Sequence, residues 1–374
     1  MQIEAAQARD FLIGQAGLRA VVHPPGAEGV RALLADRRCI QLDPLDRIGT
    51  NADLVALARV DGLGRGDIYR HLYPGWAFEH FAKERCLLPA SAFPWYRHQA
   101  VETPWWRTGE RHAKVPAEVL QAVLADVRAR GPLAPGELNQ HGEVEPMDWG
   151  GWKGTARLAT MALELLWTRC DVVTCGRRGG ATRLFDVPDR ALGALATEAP
   201  TGADFSRWAL LERVEAAGLL PLNSGPWWSM LASVRTSDLP ARLIAEGRLV
   251  EVQVSGSSRR YLAPADFQAR VFPKDDGRMR ILGPLDPLLW CRPLIQHVFE
   301  FDYVWEVYKP AAQRRYGWYV CPLLHQGALV GRFEARFEGG ELIVDQLWKE
   351  PGQAFDDQAF AAACQRHAAA LATA

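Results

Sequence analysis

The sequence lacks the features that would place the chain in a membrane or direct it to secretion. Its 374 residues contain no run of about 18 apolar residues, so we expect no membrane-spanning helix. The first segment, MQIEAAQARDFLIG, is polar and acidic, without the basic start and apolar core of a secretory signal. A cytoplasmic location is therefore expected.

Paired metal-ligand and disulfide motifs are also missing. The seven cysteines are odd in number and none belongs to a CxxC pair, which is typical of free, mostly buried thiols in a reducing cytosol. The nearest pair, Cys170 and Cys175, has no histidine at metal-ligand spacing. The sequence thus predicts no metal site and no cofactor.

A large excess of charge of either sign is absent, whereas tryptophan is abundant. The net charge is −1 at pH 7, which argues against an overall basic surface but leaves room for local basic patches. Hydrophobic residues make up 48% of the chain, enough for a large core. Fourteen tryptophans include doublets in TPWWR (103–107) and GPWWSM (225–230). They either pack in a core or stack on a ligand or base, and the sequence leaves both possibilities open.

Two segments share a pattern that predicts β-hairpins. Each has an apolar strand, a turn with glycine and small or basic residues, and a second apolar strand. They are RCDVVTCGRRGGATRLFDVPDRAL (169–192) and GRLVEVQVSGSSRRYLAPADFQAR (247–270). The segments before each hairpin predict helices; before the first, Val119, Val123, Leu124 and Val127 recur at helical spacing. Helices followed by a hairpin are the plan of a winged helix.

The two ends of the chain complete the predicted organisation. Near the N-terminus, AAQARDFLIGQAGL and AEGVRALLADRRC predict helices, and CIQLDPLDRI begins where a wing strand would start. After residue 280, FDYVWEVY, YGWYVCPLL, ALVGRFEARFE and ELIVDQLWKE predict a β-rich module, closed by an Asp-capped helix. The sequence therefore predicts an α+β fold with winged-helix units at 1–112, 113–198 and 199–270 and a β-rich module at 271–374.

Tandem winged helices imply nucleic-acid binding, because the third helix of such a unit enters a groove and the wing contacts phosphates. Basic residues occupy both places in this sequence. At the start of the third helix of the second unit stand Lys153 and Arg157, and the two predicted wings carry Arg177, Arg178, Arg183, Arg259 and Arg260. We predict that they contact DNA; the alternative is that the wing arginines are solvated turn residues.

The stretch RCIQLDPLD (38–46) places an amide and a carboxylate in a predicted β-segment. Residues two apart on a strand face the same way, roughly 6.6 Å apart, so Gln41 and Asp43 are predicted to share one face. Such a pair can hold a water molecule or line a cavity, and a buried carboxylate is tolerated when it has partners or faces a cation. Alternatively, Asp43 caps a turn before Pro44 and Gln41 bonds to a neighbouring backbone group.

The chain resembles the YcaQ/AlkZ winged-helix DNA glycosylases over nearly its whole length. The resemblance runs from CIQLD through EHFAKERCLLPASAFPWYR and again from LGPLDPLLW to HQGALVGRF, and YKPAAQRRYGWYVCPLL is its most specific block. Gln41-Leu42-Asp43 matches the Gln-apolar-Asp motif of the YcaQ (AlkX) branch, whereas the AlkZ branch has Gln at the Asp position. After the motif, PLDRIGTNADL replaces the ARAHH-like stretch usual in the YcaQ branch.

The resemblance implies three winged helices around a central cleft and a DNA glycosylase that excises N-alkylated purines, bulky adducts and interstrand crosslinks included. Asp43 would stabilise an oxocarbenium-like transition state and accept a proton from water, while Gln41 would orient that water or contact the sugar-phosphate. With no lysine in the motif, direct hydrolysis by a monofunctional enzyme is expected. The expected partner is double-stranded DNA, and a monomer working in the bacterial cytosol at the nucleoid is expected.

A basic and aromatic cluster in AAQRRYGWY (311–319) is the last candidate site. We predict that Arg314, Arg315, Tyr316 and Trp318 contact the DNA backbone or wedge near the lesion. The alternative is that Tyr316 and Trp318 alternate into a sheet core. A non-catalytic winged-helix protein, either a transcriptional regulator or a damage-recognition factor, is the competing function for the whole chain.

Overall fold

The computed structural model describes residues 1–100, 108–144, 156–197 and 204–373. The chain divides into two units. The first comprises Met1–His71, Phe81–Cys86 and Ser206–Ala374, and the second comprises Leu72–His80 and Leu87–Phe205. The predicted four-part division follows winged-helix repeats rather than compactness, and it stays a prediction.

The helices of the described residues are mostly short, and α7 buries the predicted apolar positions Val119, Val123 and Val127. In chain order they are α1 (Ala5–Gln15), α2 (Ala27–Arg37), α3 (Asn51–Leu57), α4 (Asp67–Leu72), α5 (Phe93–Ala100), α6 (Thr108–Lys114), α7 (Ala117–Arg130), α8 (Leu158–Thr168), α9 (Pro188–Leu192), α10 (Phe205–Ala217), α11 (Ala232–Arg235), α12 (Leu239–Ala245), α13 (Arg292–Phe299) and α14 (Asp357–Ala372). The start of α3 is fixed by a capping box, in which Thr50 and Asp53 each bond to the backbone amide of the other. Within the described ranges, no helix combines the length and apolar character that a membrane crossing requires.

The strands form several small sheets, so the predicted α+β fold is confirmed. In chain order they are β1 (Gln2–Ile3), β2 (Ile40–Gln41), β3 (Ala77–Phe81), β4 (Arg85–Pro89), β5 (Glu143–Val144), β6 (Ala156–Arg157), β7 (Val173–Arg178), β8 (Thr182–Asp186), β9 (Leu220–Pro221), β10 (Leu249–Val254), β11 (Arg260–Pro264), β12 (Arg280–Ile281), β13 (Val320–His325), β14 (Ala328–Glu338) and β15 (Glu341–Lys349). The first unit contains four-stranded sheets of order β1-β10-β11-β9 and β12-β13-β14-β15. The second unit contains the pairs β5-β6 and β7-β8.

Both predicted wings are antiparallel hairpins. In the first, Arg178 of β7 pairs with Thr182 of β8, and the turn between them uses Gly179 and Gly180 at φ values of 57° and 75°. These left-handed values are accessible to glycine at little cost, which explains the glycine doublet. The second hairpin joins β10 to β11 with five residue pairs in register.

The hairpin β10–β11 gains a partner that the sequence did not predict. Gln2 and Ile3 of β1 pair in parallel with Gln253 and Val254 of β10. Parallel partners can be far apart in sequence, and a two-residue strand leaves no periodic signal. The N-terminus of the chain is thereby built into the sheet of the second wing, within the first unit.

The C-terminal module agrees with the prediction in its long strands and differs in one segment. FDYVWEVY (301–308), predicted as a strand, forms none; it buries Phe301 and Tyr303, and the Tyr303 hydroxyl donates to the Val320 carbonyl at 2.7 Å. Aromatic packing rather than a strand ladder thus explains its apolar pattern. Helix α14 begins as predicted at an Asp cap: Asp356 accepts from the amides of Gln358 and Ala359.

Candidate active site

The strand that carries Gln41 is shorter than predicted, and Asp43 lies outside it. Strand β2 ends at Gln41, although the Leu42 amide still donates to the Arg85 carbonyl at 2.8 Å. The Asp43 Oδ1 atom accepts from the Leu45 amide at 2.9 Å, which closes a turn around Pro44. The prediction that the two side chains share a strand face is therefore wrong. Asp43 closes a turn around Pro44, and this turn replaces further strand pairing.

The Gln41 side chain is buried and bonded to a lysine from a distant part of the sequence. It is 6% exposed, and its Oε1 atom accepts from the Lys83 ammonium at 2.6 Å. Lys83 occupies the turn that connects β3 to β4, where Glu84 adopts a left-handed φ of 54°. Because an ammonium offers only donors, the Gln41 oxygen faces the lysine, and its amide nitrogen has no hydrogen-bond partner among the described residues.

A buried amide fixes the backbone behind Gln41. The Asn51 Nδ2 atom donates to the Gln41 carbonyl at 2.9 Å, and its Oδ1 atom accepts from the Leu285 amide at 3.1 Å. Leu285 also accepts from the Trp290 indole at 2.8 Å, which orients the ring so that the Lys83 ammonium lies 4.8 Å from its centroid. Gln41, Lys83 and Trp290 thus form one connected arrangement in the first unit.

Asp43 borders an aromatic cluster. Burial raises the pKa of its carboxyl group, and the hydrogen bond from the Leu45 amide opposes that rise. Burial also raises the pKa values of Tyr308 and Tyr319, and the charge of Asp43 adds to both effects. The ring of Trp305 contacts both tyrosines, with centroids 5.7 Å and 6.4 Å apart.

The two tyrosines of this cluster differ in exposure. Tyr308 is 82% exposed, whereas Tyr319 is 1% exposed. The Tyr319 hydroxyl has no hydrogen-bond partner among the described residues. The half-buried carboxylate of Asp43 therefore has both an exposed and a buried aromatic side chain in its surroundings.

Comparison with known proteins identifies the family. The family model described as "DNA glycosylase AlkZ-like" matches residues 5–372. The chain belongs to the AlkZ-like DNA glycosylase family. Among solved structures, Streptomyces sahachiroi DNA glycosylase AlkZ matches with a TM-score of 0.61 at 15% sequence identity, over 99% of this chain and 97% of that chain. At such low identity, this second likeness shows the fold alone.

Several of the arginines of this AlkZ-like chain that were predicted to bind DNA are engaged within the protein, and Arg157, predicted to open a helix, is the last residue of β6. Arg157 directly precedes α8 and donates to the Pro135 and Leu138 carbonyls at 3.3 Å and 3.1 Å. On the first wing, Arg177 forms an ion pair with the fully buried Glu79 side chain, and Arg178 pairs with Glu137 at 2.9 Å. Their contact with DNA stays a prediction.

Both arginines on the second wing are exposed, whereas on the first wing the Arg177 side chain is only 15% exposed. Arg259 is exposed, and Arg260 is 62% exposed while its guanidinium pairs with Glu251 at 3.2 Å. An ion pair of this exposure contributes little to stability, so a phosphate can replace the carboxylate at small cost. The same holds for Arg178 on the first wing, whose side chain is 57% exposed in its pair with Glu137, and DNA contact by these residues stays a prediction.

The cluster at 311–319 is not a strand, and its aromatic side chains pack in the C-terminal module, whereas its arginines do not. The Tyr316 ring contacts the Trp348 ring edge-on, with ring centroids 5.5 Å apart. The Arg332 guanidinium lies 4.2 Å from the centroid of the Tyr316 ring. Arg314 donates to the Lys309 carbonyl at 2.8 Å, whereas the exposed Arg315 pairs with Asp302 at 3.2 Å. Trp318 packs against the core of the C-terminal module.

Two of the predicted features fall outside the described residues, namely Lys153 and the tryptophan doublet of TPWWR. The other doublet, Trp227 and Trp228, is 2% and 4% exposed, which agrees with core packing. All seven cysteines are free. Within the described ranges, no group of three or more His, Cys, Asp or Glu side chains is arranged to hold a metal ion.

Sequence reasoning missed Lys83, Asn51 and Trp290 as parts of the site. Each belongs to a segment with an ordinary local explanation: a hairpin turn, the first turn of a helix and an apolar run. Lys83 and Gln41 are 42 positions apart, and Asn51 and Leu285 are 234 apart. Only the tertiary fold brings these residues together, so no local sequence pattern predicts that they belong to the site.

Proposed function

We propose that this chain hydrolyses the N-glycosidic bond of N7- or N3-alkylated purines in double-stranded DNA, with Asp43 and Gln41 as catalytic residues. Family membership supports glycosylase activity. The observation that carries the assignment of roles is the contrast between the two side chains. Gln41 is buried and held by Lys83, while Asp43 remains half-buried with access to solvent.

The chemistry of the lesion explains why a carboxylate suits this position. An N7-alkylated purine is cationic, so it is already a good leaving group, and positive charge develops on the sugar as the bond breaks. A carboxylate beside the sugar stabilises that charge and accepts a proton from the attacking water. The burial that raises the pKa of Asp43 also strengthens its interaction with a nearby cation.

Gln41 has a positioning task in this proposal. Its oxygen is occupied by Lys83, which leaves the two amide hydrogens as donors toward a water molecule or the sugar-phosphate. The proposed enzyme is monofunctional, since water is the nucleophile at C1′, and it acts as a monomer. The resemblance to the YcaQ branch further supports bulky adducts and interstrand crosslinks as substrates, in repair or in resistance to a self-made toxin.

The direct test uses a duplex with a single 7-methylguanine. We expect the wild-type protein to release free base and leave an alkali-labile site, and Asp43→Asn to lose about 10²–10³-fold in excision rate, as for removal of one charge-stabilising group. Glu84→Gln, in the turn beside Lys83, serves as a matched neutralisation of an exposed carboxylate and should excise at the wild-type rate. DNA binding by Asp43→Asn is measured alongside and should persist.

The outcomes separate the two candidate functions. Binding of DNA without release of base from any alkylated duplex, crosslinked ones included, would support the hypothesis of a non-catalytic winged-helix protein. Release by Asp43→Asn at the wild-type rate would remove Asp43 from the mechanism while leaving glycosylase activity in place. Loss of activity in Glu84→Gln as well would point to a general effect of charge on binding.

A further inference from the structure

Lys83 is an amine held beside a residue that the proposed mechanism places at the sugar. Its Nζ atom is 2.6 Å from the Gln41 Oε1 atom, and the turn from β3 to β4 that carries it is fixed by a hydrogen bond from the Ala82 amide to the Glu84 carbonyl at 3.1 Å. Among the described residues, no carboxylate forms an ion pair with this ammonium. The Lys83 ammonium contacts the Gln41 amide oxygen and the face of the Trp290 ring.

The burial of Lys83 increases the neutral fraction of its amine. Burial lowers its pKa to about 8, and the nearby Arg292 guanidinium contributes to the decrease. About half of the amine is then neutral at pH 8, whereas a lysine with an ordinary pKa near 10.4 is neutral to less than about 1%. The Trp290 ring lies 4.8 Å from Nζ, and its face attracts the protonated form of the amine. Neutral lysines of this kind are nucleophiles toward carbonyl carbons.

Excision of a base creates such a carbonyl. The abasic sugar left in the strand is in equilibrium with an open-chain form whose C1′ atom is an aldehyde. We propose that Lys83 captures the abasic product by forming a Schiff base with C1′. This inference rests on the proposed function, because that proposal is what places Gln41, and with it Lys83, at the sugar.

The step balances without any further reactant. The nitrogen lone pair attacks C1′ of the aldehyde and forms a carbon–nitrogen bond; the resulting carbinolamine takes up a proton and expels its oxygen as water, leaving an iminium. Water reverses the reaction and frees the lysine. The capture thus follows hydrolytic excision and does not replace water as the nucleophile that breaks the glycosidic bond. It would hold a reactive abasic site on the protein until it is released.

The test supplies the product directly. Full-length protein is mixed with a duplex that contains one abasic site, prepared by enzymatic removal of uracil, in the presence of sodium borohydride. Hydride adds to the iminium carbon and converts it into a stable secondary amine, which appears as a protein–DNA adduct on a denaturing gel. Peptide mapping by mass spectrometry then identifies the modified residue in the wild-type protein.

Lys83→Arg keeps the positive charge and the donor to Gln41 but cannot form an imine. We expect it to lose at least about 10-fold in adduct yield, while Lys274→Arg, at an exposed lysine outside the site, traps like the wild type. The wild-type adduct should map to Lys83, and its yield should rise between pH 7 and pH 9.

Three results would overturn the inference: no adduct, an adduct mapped to another amine such as the N-terminus, or undiminished trapping by Lys83→Arg. Because mapping uses the wild-type protein, it decides the matter even if the variant misfolds. Adduct formation without excision of 7-methylguanine would contradict the proposed function alone. Excision without adduct would contradict this inference alone.

Discussion

The segment that supports the candidate site is anchored by a buried ion pair whose removal should have a large and specific effect. Arg59 and Asp286 have fully buried side chains, and they form two parallel bonds of 2.8 Å and 2.9 Å. The guanidinium also donates to the Ala16 and Val55 carbonyls, and the carboxylate accepts from the Leu288 amide. Four of the five guanidinium N–H groups and both carboxylate oxygens of the pair are therefore engaged.

Removing one partner leaves the other charge buried without compensation. We expect Asp286→Ala to lower the free energy of unfolding by about 3–5 kcal/mol, the usual range for breaking a buried pair. The double change Arg59→Met with Asp286→Leu removes both charges and keeps apolar volume, so it should cost far less than the single change. Urea denaturation followed by far-UV circular dichroism measures each value, and Arg315→Ala at the exposed pair with Asp302 is the control, expected within about 1 kcal/mol.

The same change should reduce excision at temperatures where the variant remains folded. Asp286 lies between Leu285, which holds Asn51 behind Gln41, and Trp290, which faces Lys83. A displacement of this segment therefore moves the supports of Gln41. The reasoning is refuted if Asp286→Ala costs less than about 1 kcal/mol, or if the apolar double variant is as unstable as the single one.

Three further predictions address other parts of the chain. Burial lowers the pKa of His80 to about 4, below its value near 6.5 in the unfolded chain, so the unfolded state binds the proton more tightly and stability falls as pH drops from 6.5 toward 4. We expect a loss of about 2 kcal/mol between pH 7 and 4.5 that is absent in His80→Gln, measured by urea denaturation; an equal loss in both proteins would contradict the assignment. Asn51→Ala removes bonds to Gln41 and Leu285 and should lower stability by about 1–3 kcal/mol and slow excision, whereas Asn223→Ala at an exposed turn should do neither. Arg259→Ala with Arg260→Ala should reduce the slope of log affinity against log salt by about 1–2 on duplex DNA, and an unchanged slope would remove this wing from the interface.

Local physical chemistry was enough to anticipate much of the secondary structure. The glycine doublet 179–180 predicted a hairpin because its turn requires left-handed backbone. Asp356 marked the start of α14 because its carboxylate satisfies two exposed amides. The identity of the Gln-Leu-Asp motif was likewise visible in the sequence, since it depends on residue types that are adjacent in the chain.

The arrangement around that motif came from the tertiary fold alone. Pro44 and the turn closed by Asp43 end the strand early. Here a local side-chain hydrogen bond replaces further strand pairing, and the sequence alone does not show which of the two is more stable. Lys83 reaches Gln41, and β1 joins β10, through contacts between segments that are distant along the chain. Such contacts depend on how helices, strands and turns pack together, and the local sequence around a residue does not identify its distant partner. The chemistry of the Gln-Leu-Asp motif could therefore be predicted from the sequence, whereas the position of the Lys83 amine beside it required the folded structure.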